Sequence, residues 1–129
     1  TRIEKLPFMD WRQLPAVIAG LDINLMPLEN SLFHWCKSEN KWTEAALVKV
    51  PSVMSRNCEM EYVVENGKDG WMCTTKEEWV NALEALVTDE KARKAMGEAA
   101  HQKVMEHYLT VNTGKDAMEE LLCSESYTK

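Results

Sequence analysis

The feature that most constrains the fold is a strand, helix, strand pattern in the first half of the chain. Residues 23–26 form a short apolar run, and residues 51–55 form a second run that begins with proline, where no ladder hydrogen bond is lost. Between them, residues 38–48 favour a helix with Ser38 as its predicted amino-terminal cap. Strands joined by a helix run parallel with a right-handed crossover, so this pattern predicts an open α/β sheet.

The same alternation continues along the chain. Residues 60–65 predict a short helix, residues 66–70 a turn, and residues 71–73 a third strand. Thr75 and Glu78 have the spacing of a capping box, which predicts the start of a further helix. The apolar stripe of that helix consists of Trp79, Ala82, Leu83, Leu86 and Val87. Three central strands are few for a doubly wound sheet, so we expect further strands upstream.

The remaining predicted elements are mostly helical. A long helix begins near Asp89, and Gly97 inside it is expected to cost about 1 kcal/mol relative to alanine. Residues 113–122 predict a final helix and residues 11–19 an early one, while residues 2–5 predict an edge strand. The predicted domain covers residues 1–122, and residues 123–129 are expected to form a mobile tail.

Length and charge limit the classes of function. A chain of 129 residues with 45% hydrophobic residues is sufficient for one domain with one core. A formal charge of -6 argues against a protein that binds nucleic acid through its phosphates. No run approaches the roughly 20 apolar residues that cross a bilayer, and the four cysteines are widely spaced, which predicts a reduced, cytoplasmic protein. The chain begins at Thr1, which suggests a piece of a longer protein.

Ligands of an open α/β sheet lie outside the carboxyl ends of its strands. This rule selects three loops, at residues 27–37, 56–60 and 74–75. The first loop leads through Lys37 into the helix that Ser38 is predicted to cap. Because a helix amino terminus presents unpaired N–H groups and partial positive charge, this position suits a diphosphate.

The order of motifs resembles one known family. The matching segments are Asp22-Ile23-Asn24-Leu25-Met26-Pro27-Leu28, Phe33, Lys37-Ser38, Lys41-Trp42, Glu44-Ala45-Ala46, Val50-Pro51-Ser52-Val53, Glu65-Asn66-Gly67, Gly70-Trp71 and Glu78-Trp79, followed by Leu83, Leu86, Asp89, Arg93, Gly97, Ala100, Val104 and Tyr108. Together they resemble the carboxy-terminal domain of family 4-like, group 1 glycosyltransferases. The resemblance implies a Rossmann-like, three-layer open parallel sheet, one of two domains of the GT-B fold, that holds a nucleoside-diphosphate sugar.

The resemblance also implies roles for particular residues. Glu44 matches the second Glu of the family's Glu-x7-Glu motif, which lies near the ribose hydroxyls. Lys37 and Ser38 are implied as phosphate contacts, with Lys41 and Phe33 as further sugar-donor-binding residues. Cys36 stands where the motif has its first Glu, which usually reaches the transferred sugar, so the motif is half present.

The family works in general without a bound metal, so neither a metal nor another cofactor is expected. The resemblance implies that the glycan or lipid-linked acceptor is bound mainly by an amino-terminal domain, which is expected in the parent protein outside this chain, and it identifies no catalytic residue. The implied function is transfer of a sugar, of hexosyltransferase type, in polysaccharide assembly, with this fragment inactive alone. The parent protein is expected in the cytoplasm, with peripheral association at the inner face of the membrane.

Alternative interpretations remain for several residues and for the whole chain. Phe33 and Trp35 could anchor the long loop or stack on a base, and His34 is more often a hydrogen-bonded loop residue than a catalyst. Glu59 and Glu61 could face a sugar or only solvent. The alternative for the whole chain is a noncatalytic α/β interaction module derived from such a domain. A response-regulator-like domain is a weaker alternative, because its acidic pocket is not visible.

Overall fold

The computed structural model describes residues 3–124, and it is an α/β structure with a three-stranded sheet. A 3-10 helix, Trp11–Gln13, leads directly into the first α-helix. In chain order the elements are α1 (Leu14–Ile18), β1 (Asn24–Met26), α2 (Leu32–Trp35), α3 (Asn40–Leu47), β2 (Ser52–Ser55), α4 (Cys58–Val63), β3 (Trp71–Cys73), α5 (Lys76–Thr88), α6 (Glu90–His107) and α7 (Thr110–Ser124).

The three strands run parallel in the order β1-β2-β3, as the sequence pattern predicts. Leu25 pairs with Val53 and Val53 with Trp71 in the register of the two ladders. Parallel strands place all their carboxyl ends on one edge, so the loops after β1, β2 and β3 emerge on the same side.

The core lies on both faces of the sheet, because side chains of a strand alternate between faces. On β2, Met54 joins one cluster with Trp42 of α3, while Val53 joins another with Leu86 of α5. Helix α6 contacts both α3 and α5. The result is the predicted three-layer arrangement, with helices on either side of the strands.

Of the two predicted helix caps, one is confirmed and one is wrong. The capping box of Thr75 and Glu78 is confirmed, with both reciprocal hydrogen bonds present. The predicted cap at Ser38 is wrong, because α3 begins later, at Asn40, and its cap residue Glu39 makes no side-chain capping bond. The Lys37 amide instead donates to His34 O at 3.2 Å, prolonging the turn that follows α2.

The two ends of the chain depart from the predictions in different ways. Residues 3–5 form no strand, so the edge strand predicted at residues 2–5 is wrong over its described part, and Arg2 lies outside the described residues. The helix at residues 11–19 is confirmed, as a 3-10 turn followed by α1. The last helix continues through Cys123 to Ser124. Residues 125–129 of the predicted tail lie outside the described residues.

Gly97 is required for packing, although its helix propensity alone predicts only that it destabilises α6. A Cβ at this position would lie 2.1 Å from Lys49 O and 2.8 Å from Lys49 C. Lys49 itself has a positive φ of 62°, a conformation that turns the chain sharply from α3 towards β2. Helix α6 therefore approaches this turn so closely that only glycine fits.

An ion pair between a buried carboxylate and a half-buried lysine fixes the turn between α4 and β3. Asp69 is only 2% exposed, and its carboxylate pairs with the Lys103 ammonium of α6. Lys103 Nζ also donates to Val63 O at 2.7 Å, and the Glu65 amide donates to Asp69 Oδ1 at 2.8 Å. The Trp42 indole donates to Asp69 O at 2.9 Å, so this one residue joins α3, α6 and the turn.

No helix within residues 3–124 is both long and apolar enough to pass through a bilayer.

Candidate functional site

A pocket of about 610 Å³ opens at the carboxyl ends of the three strands. Its lining comes from all three loops that follow the strands, at residues 27–37, 56–60 and 74–75, together with Glu61 of α4 and Trp79 of α5. The other lining residues are the loop residues Pro27, Leu28, Glu29, Asn30, His34, Trp35, Arg56, Asn57, Cys58 and Thr74, with Ser55 at the end of β2 and Cys73 at the end of β3. The three selected loops thus line one pocket at the edge of the sheet where open α/β folds bind ligands.

Hydrogen bonds between loops fix the shape of this strand-end pocket. Ser55 Oγ accepts from the Leu28 amide at 2.8 Å and donates to Leu28 O at 3.0 Å. Asn57, which is buried, caps α4 by accepting from the Met60 amide at 2.8 Å, and its Nδ2 donates to His34 O at 3.5 Å. The loop after β1 is therefore tied to the end of β2 at two points.

The charges in the pocket are partly neutralised within the protein. Arg56 Nη1 lies 3.0 Å from Glu61 Oε1, and both side chains remain partly exposed, at 38% and 51%. At the end of β3, the amides of Thr74 and Thr75 donate to Glu78 Oε2 at 2.6 and 3.0 Å. These backbone hydrogen bonds hold the pKa of Glu78 below its usual value, so Glu78 stays ionised at the start of α5.

Two thiols and one imidazole also line the pocket. Burial raises the pKa of the Cys73 thiol, so it remains protonated and unreactive. The Cys58 thiol donates to Trp35 O at 3.4 Å, and His34 Nδ1 lies 2.8 Å from Ser31 Oγ. Within residues 3–124, no group of three or more His, Cys, Asp or Glu side chains is arranged to bind a metal ion.

The predicted sugar-donor-binding residues lie in two places, and among the described residues none of the five lines the strand-end pocket. Lys37 Nζ lies 4.2 Å from the centroid of the Phe33 ring, and that ring is 68% exposed. Ser38 and Lys41 are exposed beside the start of α3. The structure thus groups four of the residues near that helix start.

Glu44 lies one turn further along α3, beside a different pocket. This second pocket, of about 180 Å³, is largely apolar and is also lined by Trp11, Leu14, Pro15, Ile18, Leu47 and Val48. It is formed where the early helices meet α3. The carboxylate of Glu44 is exposed at this second pocket and not at the strand ends.

Glu39 places a negative charge at the start of α3. This charge is unfavourable for the diphosphate that the family resemblance implies at that position. Burial, followed by the nearby Glu39 carboxylate and a hydrogen bond to it, raises the pKa of Tyr108 to about 12. The Tyr108 ring packs edge-on against Trp42 at 6.1 Å between centroids. The Glu39 carboxylate therefore lies near Tyr108, at the end of α6.

Sequence reasoning did not single out several residues of the strand-end pocket. Arg56 directly follows β2 in a selected loop, so its position could have indicated it. Asn30 was not distinguishable before the structure, because its role depends on the Trp35 indole, which donates to Asn30 Oδ1 at 2.8 Å. That contact depends on the short helix α2, which no periodicity predicted.

Comparisons with known proteins agree with this architecture. The model of the glycosyl transferase-like family matches residues 2–119. One similar solved structure is the carboxy-terminal domain of a glycosyl transferase group 1 family protein, LpcC, from Francisella tularensis, with 18% identity and a TM-score of 0.60 over 80% of this chain and 52% of that one. Another is Anabaena HepE in complex with UDP and glucose, with 17% identity and a TM-score of 0.65 over 83% of this chain and 29% of that one.

The chain thus spans about half the length of the first structure and under a third of the second. Among curated protein sequences no relative matches it. The family match extends over nearly the whole chain, and the TM-scores of 0.60 and 0.65 show that the two solved structures share its fold. This chain belongs to the glycosyl transferase-like family and has the fold of the carboxy-terminal domain of group 1, GT-B glycosyltransferases.

Proposed function

We propose that this chain is the sugar-donor-binding part of a glycosyltransferase that transfers a sugar from a nucleoside-diphosphate sugar to a glycan or lipid-linked acceptor. The observation that carries the proposal is the single pocket formed by all three strand-end loops, the place where open α/β sheets bind ligands. Membership of the family supports it, as does the likeness in fold to HepE, whose crystal structure contains UDP and glucose.

The sugar donor extends along the beginning of α3 in this proposal. Lys37 and Lys41 supply positive charge for the diphosphate, and Ser38 supplies a hydroxyl. Glu44, one turn further on, accepts hydrogen bonds from the ribose hydroxyls, with the apolar second pocket beside it for the base. Lysine ammonium groups here stabilise the leaving diphosphate, a task that needs positive charge but no particular metal.

The chain alone is expected to bind the sugar donor but not to catalyse sugar transfer. Glycosyl transfer requires sugar donor and acceptor to be held together, and positioning contributes much of the 8–23 kcal/mol, roughly, by which enzymes lower barriers. The acceptor is bound mainly by an amino-terminal domain in this proposal. The parent protein acts in the cytoplasm in polysaccharide assembly, with peripheral association at the inner face of the membrane.

A titration of the 129-residue chain with UDP tests this proposal. Backbone amide resonances of residues 37–44 are expected to shift in NMR spectra, because the phosphates and ribose contact this segment. Replacing Lys37 by alanine should weaken UDP binding about tenfold, the cost of one lost charge-assisted hydrogen bond.

The matched control is Lys94→Ala, which removes a similar exposed lysine from α6, where Lys94 pairs with Glu90 on the surface. This variant should bind UDP as the unmodified chain does. If both substitutions weaken UDP binding equally, the affinity for UDP depends only on the overall charge of the chain and not on Lys37 itself. An absence of shifts at residues 37–44 with saturating UDP, GDP and dTDP would remove the proposed nucleotide site.

The alternative is a noncatalytic interaction module descended from such a domain. Two observations favour it, namely Cys36 in place of the motif's first Glu and the exposure of Glu44 away from the strand-end pocket. The two proposals differ in the UDP titration, since a module of this kind binds no nucleotide.

A further inference from the structure

Two exposed cysteines lie close together where the loop after β1 meets the start of α4. Cys36 is the residue that ends α2, and Cys58 is the first residue of α4. Both thiols are exposed, whereas Cys73 is buried. Because oxidation and thiol exchange require access from solvent, Cys36 and Cys58 are open to this chemistry and Cys73 is protected from it.

One hydrogen bond limits the distance between the two cysteines. Cys58 Sγ lies 3.4 Å from Trp35 O, and that oxygen belongs to the peptide group that joins Trp35 to Cys36. In a trans peptide the carbonyl oxygen is about 2.8 Å from the next Cα, so Cys58 Sγ lies no more than roughly 6.2 Å from the Cys36 Cα. The two Cα atoms of a disulfide are about 4.4–6.8 Å apart, so rotation of the exposed side chains brings this pair within reach of a bond.

Other hydrogen bonds hold the two segments against each other. Asn57, directly before Cys58, is buried and donates to His34 O at 3.5 Å. Ser55 Oγ exchanges two hydrogen bonds with the backbone of Leu28, at 2.8 and 3.0 Å. The closeness of the two cysteines is therefore fixed by the packing of the loop after β1 on the end of β2.

We infer that Cys36 and Cys58 form a reversible disulfide when the chain meets a peroxide, and that this disulfide lowers the affinity for UDP. The effect on UDP rests on the proposed function. One thiolate attacks a peroxide oxygen and becomes a sulfenic acid as hydroxide leaves, and the other thiol then attacks that sulfur and displaces water. Overall the two thiols lose two protons and two electrons, and hydrogen peroxide takes them up to become two molecules of water. Reduced glutathione restores both thiols by exchange.

The disulfide restrains the turn that leads into the proposed diphosphate position. Cys36 directly precedes Lys37, whose amide donates to His34 O at 3.2 Å. Glu39 places a negative charge at the start of α3, so binding of a diphosphate there requires this turn to rearrange. A covalent link from Cys36 to α4 opposes the rearrangement, which favours the conformation without UDP.

Peptide mapping by mass spectrometry tests the disulfide. In the monomeric fraction of the peroxide-treated chain, the peptides that contain Cys36 and Cys58 are expected to be linked, with Cys73 unlinked. Reduced glutathione should separate them again. Cys36→Ser and Cys58→Ser should each abolish the link, and the control Cys123→Ser should leave it. A link of Cys36 or Cys58 to Cys123, or oxidation of both without a link between them, would overturn the inference.

Thermal unfolding gives a second measurement of the link. A bond between residues 36 and 58 restricts the unfolded chain, so the melting temperature of the oxidised chain should rise by roughly 10 °C. The matched control is Cys58→Ser treated with the same peroxide, because the chain contains eight methionines that peroxide also oxidises. If the melting temperatures of the two oxidised proteins change equally, no disulfide restrains this loop.

Titration of the reduced and oxidised chains with UDP tests the effect on binding. The oxidised chain should bind UDP at least about fivefold more weakly, at the low end of usual coupling between sites, and reduced glutathione should restore the affinity. Cys58→Ser should bind UDP equally before and after peroxide. Equal affinities of the reduced and oxidised chains would contradict the regulatory effect. An absence of UDP binding by the reduced chain would remove the proposed function, and a disulfide found by peptide mapping would still stand.

Discussion

Replacing Gly97 by alanine is expected to lower the free energy of unfolding by about 3 kcal/mol, since overpacked sites cost about 1–3 kcal/mol and occasionally more. Helix propensity alone predicts the opposite, a gain of about 1 kcal/mol. The new Cβ would lie 2.1 Å from Lys49 O, so α6 could stay in place only if the turn before β2 moved. Backbone at both sides of the contact leaves little freedom for relaxation. Urea unfolding followed by circular dichroism measures the change.

Gly114→Ala provides the matched control, because Gly114 lies in α7 and a Cβ there meets nothing within 4 Å. This substitution should leave stability unchanged or raise it by up to about 1 kcal/mol. If Gly97→Ala also stabilises the protein, α6 does not approach the Lys49 turn as closely as the structure indicates.

Replacing Lys103 by methionine is expected to cost about 3 kcal/mol, the low end of the range for leaving a buried charge without its partner, because Lys103 itself is 28% exposed. The substitution keeps the apolar stem but removes the ammonium group, leaving the buried Asp69 carboxylate with the Glu65 amide as its remaining hydrogen-bond partner among the described residues. It also leaves Val63 O without its 2.7 Å donor. Chemical unfolding at neutral pH measures the loss.

Two companion variants separate a buried pair from a surface one. Lys94→Met breaks an exposed pair with Glu90 and should change stability too little to measure. Combining Lys103→Met with Asp69→Asn removes both charges and should recover part of the loss, since no unpaired carboxylate remains. A double variant as unstable as the sum of its parts would mean that the two groups do not interact.

Much of the fold could be predicted because the relevant signals are local. The apolar runs that became β2 and β3 and the Thr75–Glu78 capping box depend on neighbours in sequence. Helix α2 has only four residues, too few to show a helical period, so it was missed. Helix propensity does not reveal the role of Gly97, because its contact with Lys49 joins residues distant in sequence.

The sequence predicts which loops form the pocket, but it does not predict which side chains line it. Chain order located the three loops, since parallel strands must end on one edge. Which side chains line the pocket depends on how each loop and the helix after it are oriented, and that orientation places Arg56 and Glu61 of α4 at the pocket but Glu44 of α3 beside α1. The roles of Lys37, Ser38, Lys41, Glu44 and Phe33 remain predictions that follow from the family resemblance.

A crystal structure of the chain grown with saturating UDP-glucose tests the central claim most directly, namely that a nucleotide sugar binds across the strand-end pocket and the first turns of α3. We expect the diphosphate near Lys37 and Lys41, the ribose beside Glu44, and the glucose ring in the strand-end pocket against Trp35 and Trp79. UDP-glucose bound at the opposite edge of the sheet, or a strand-end pocket and α3 start left empty by the ligand, would contradict the claim.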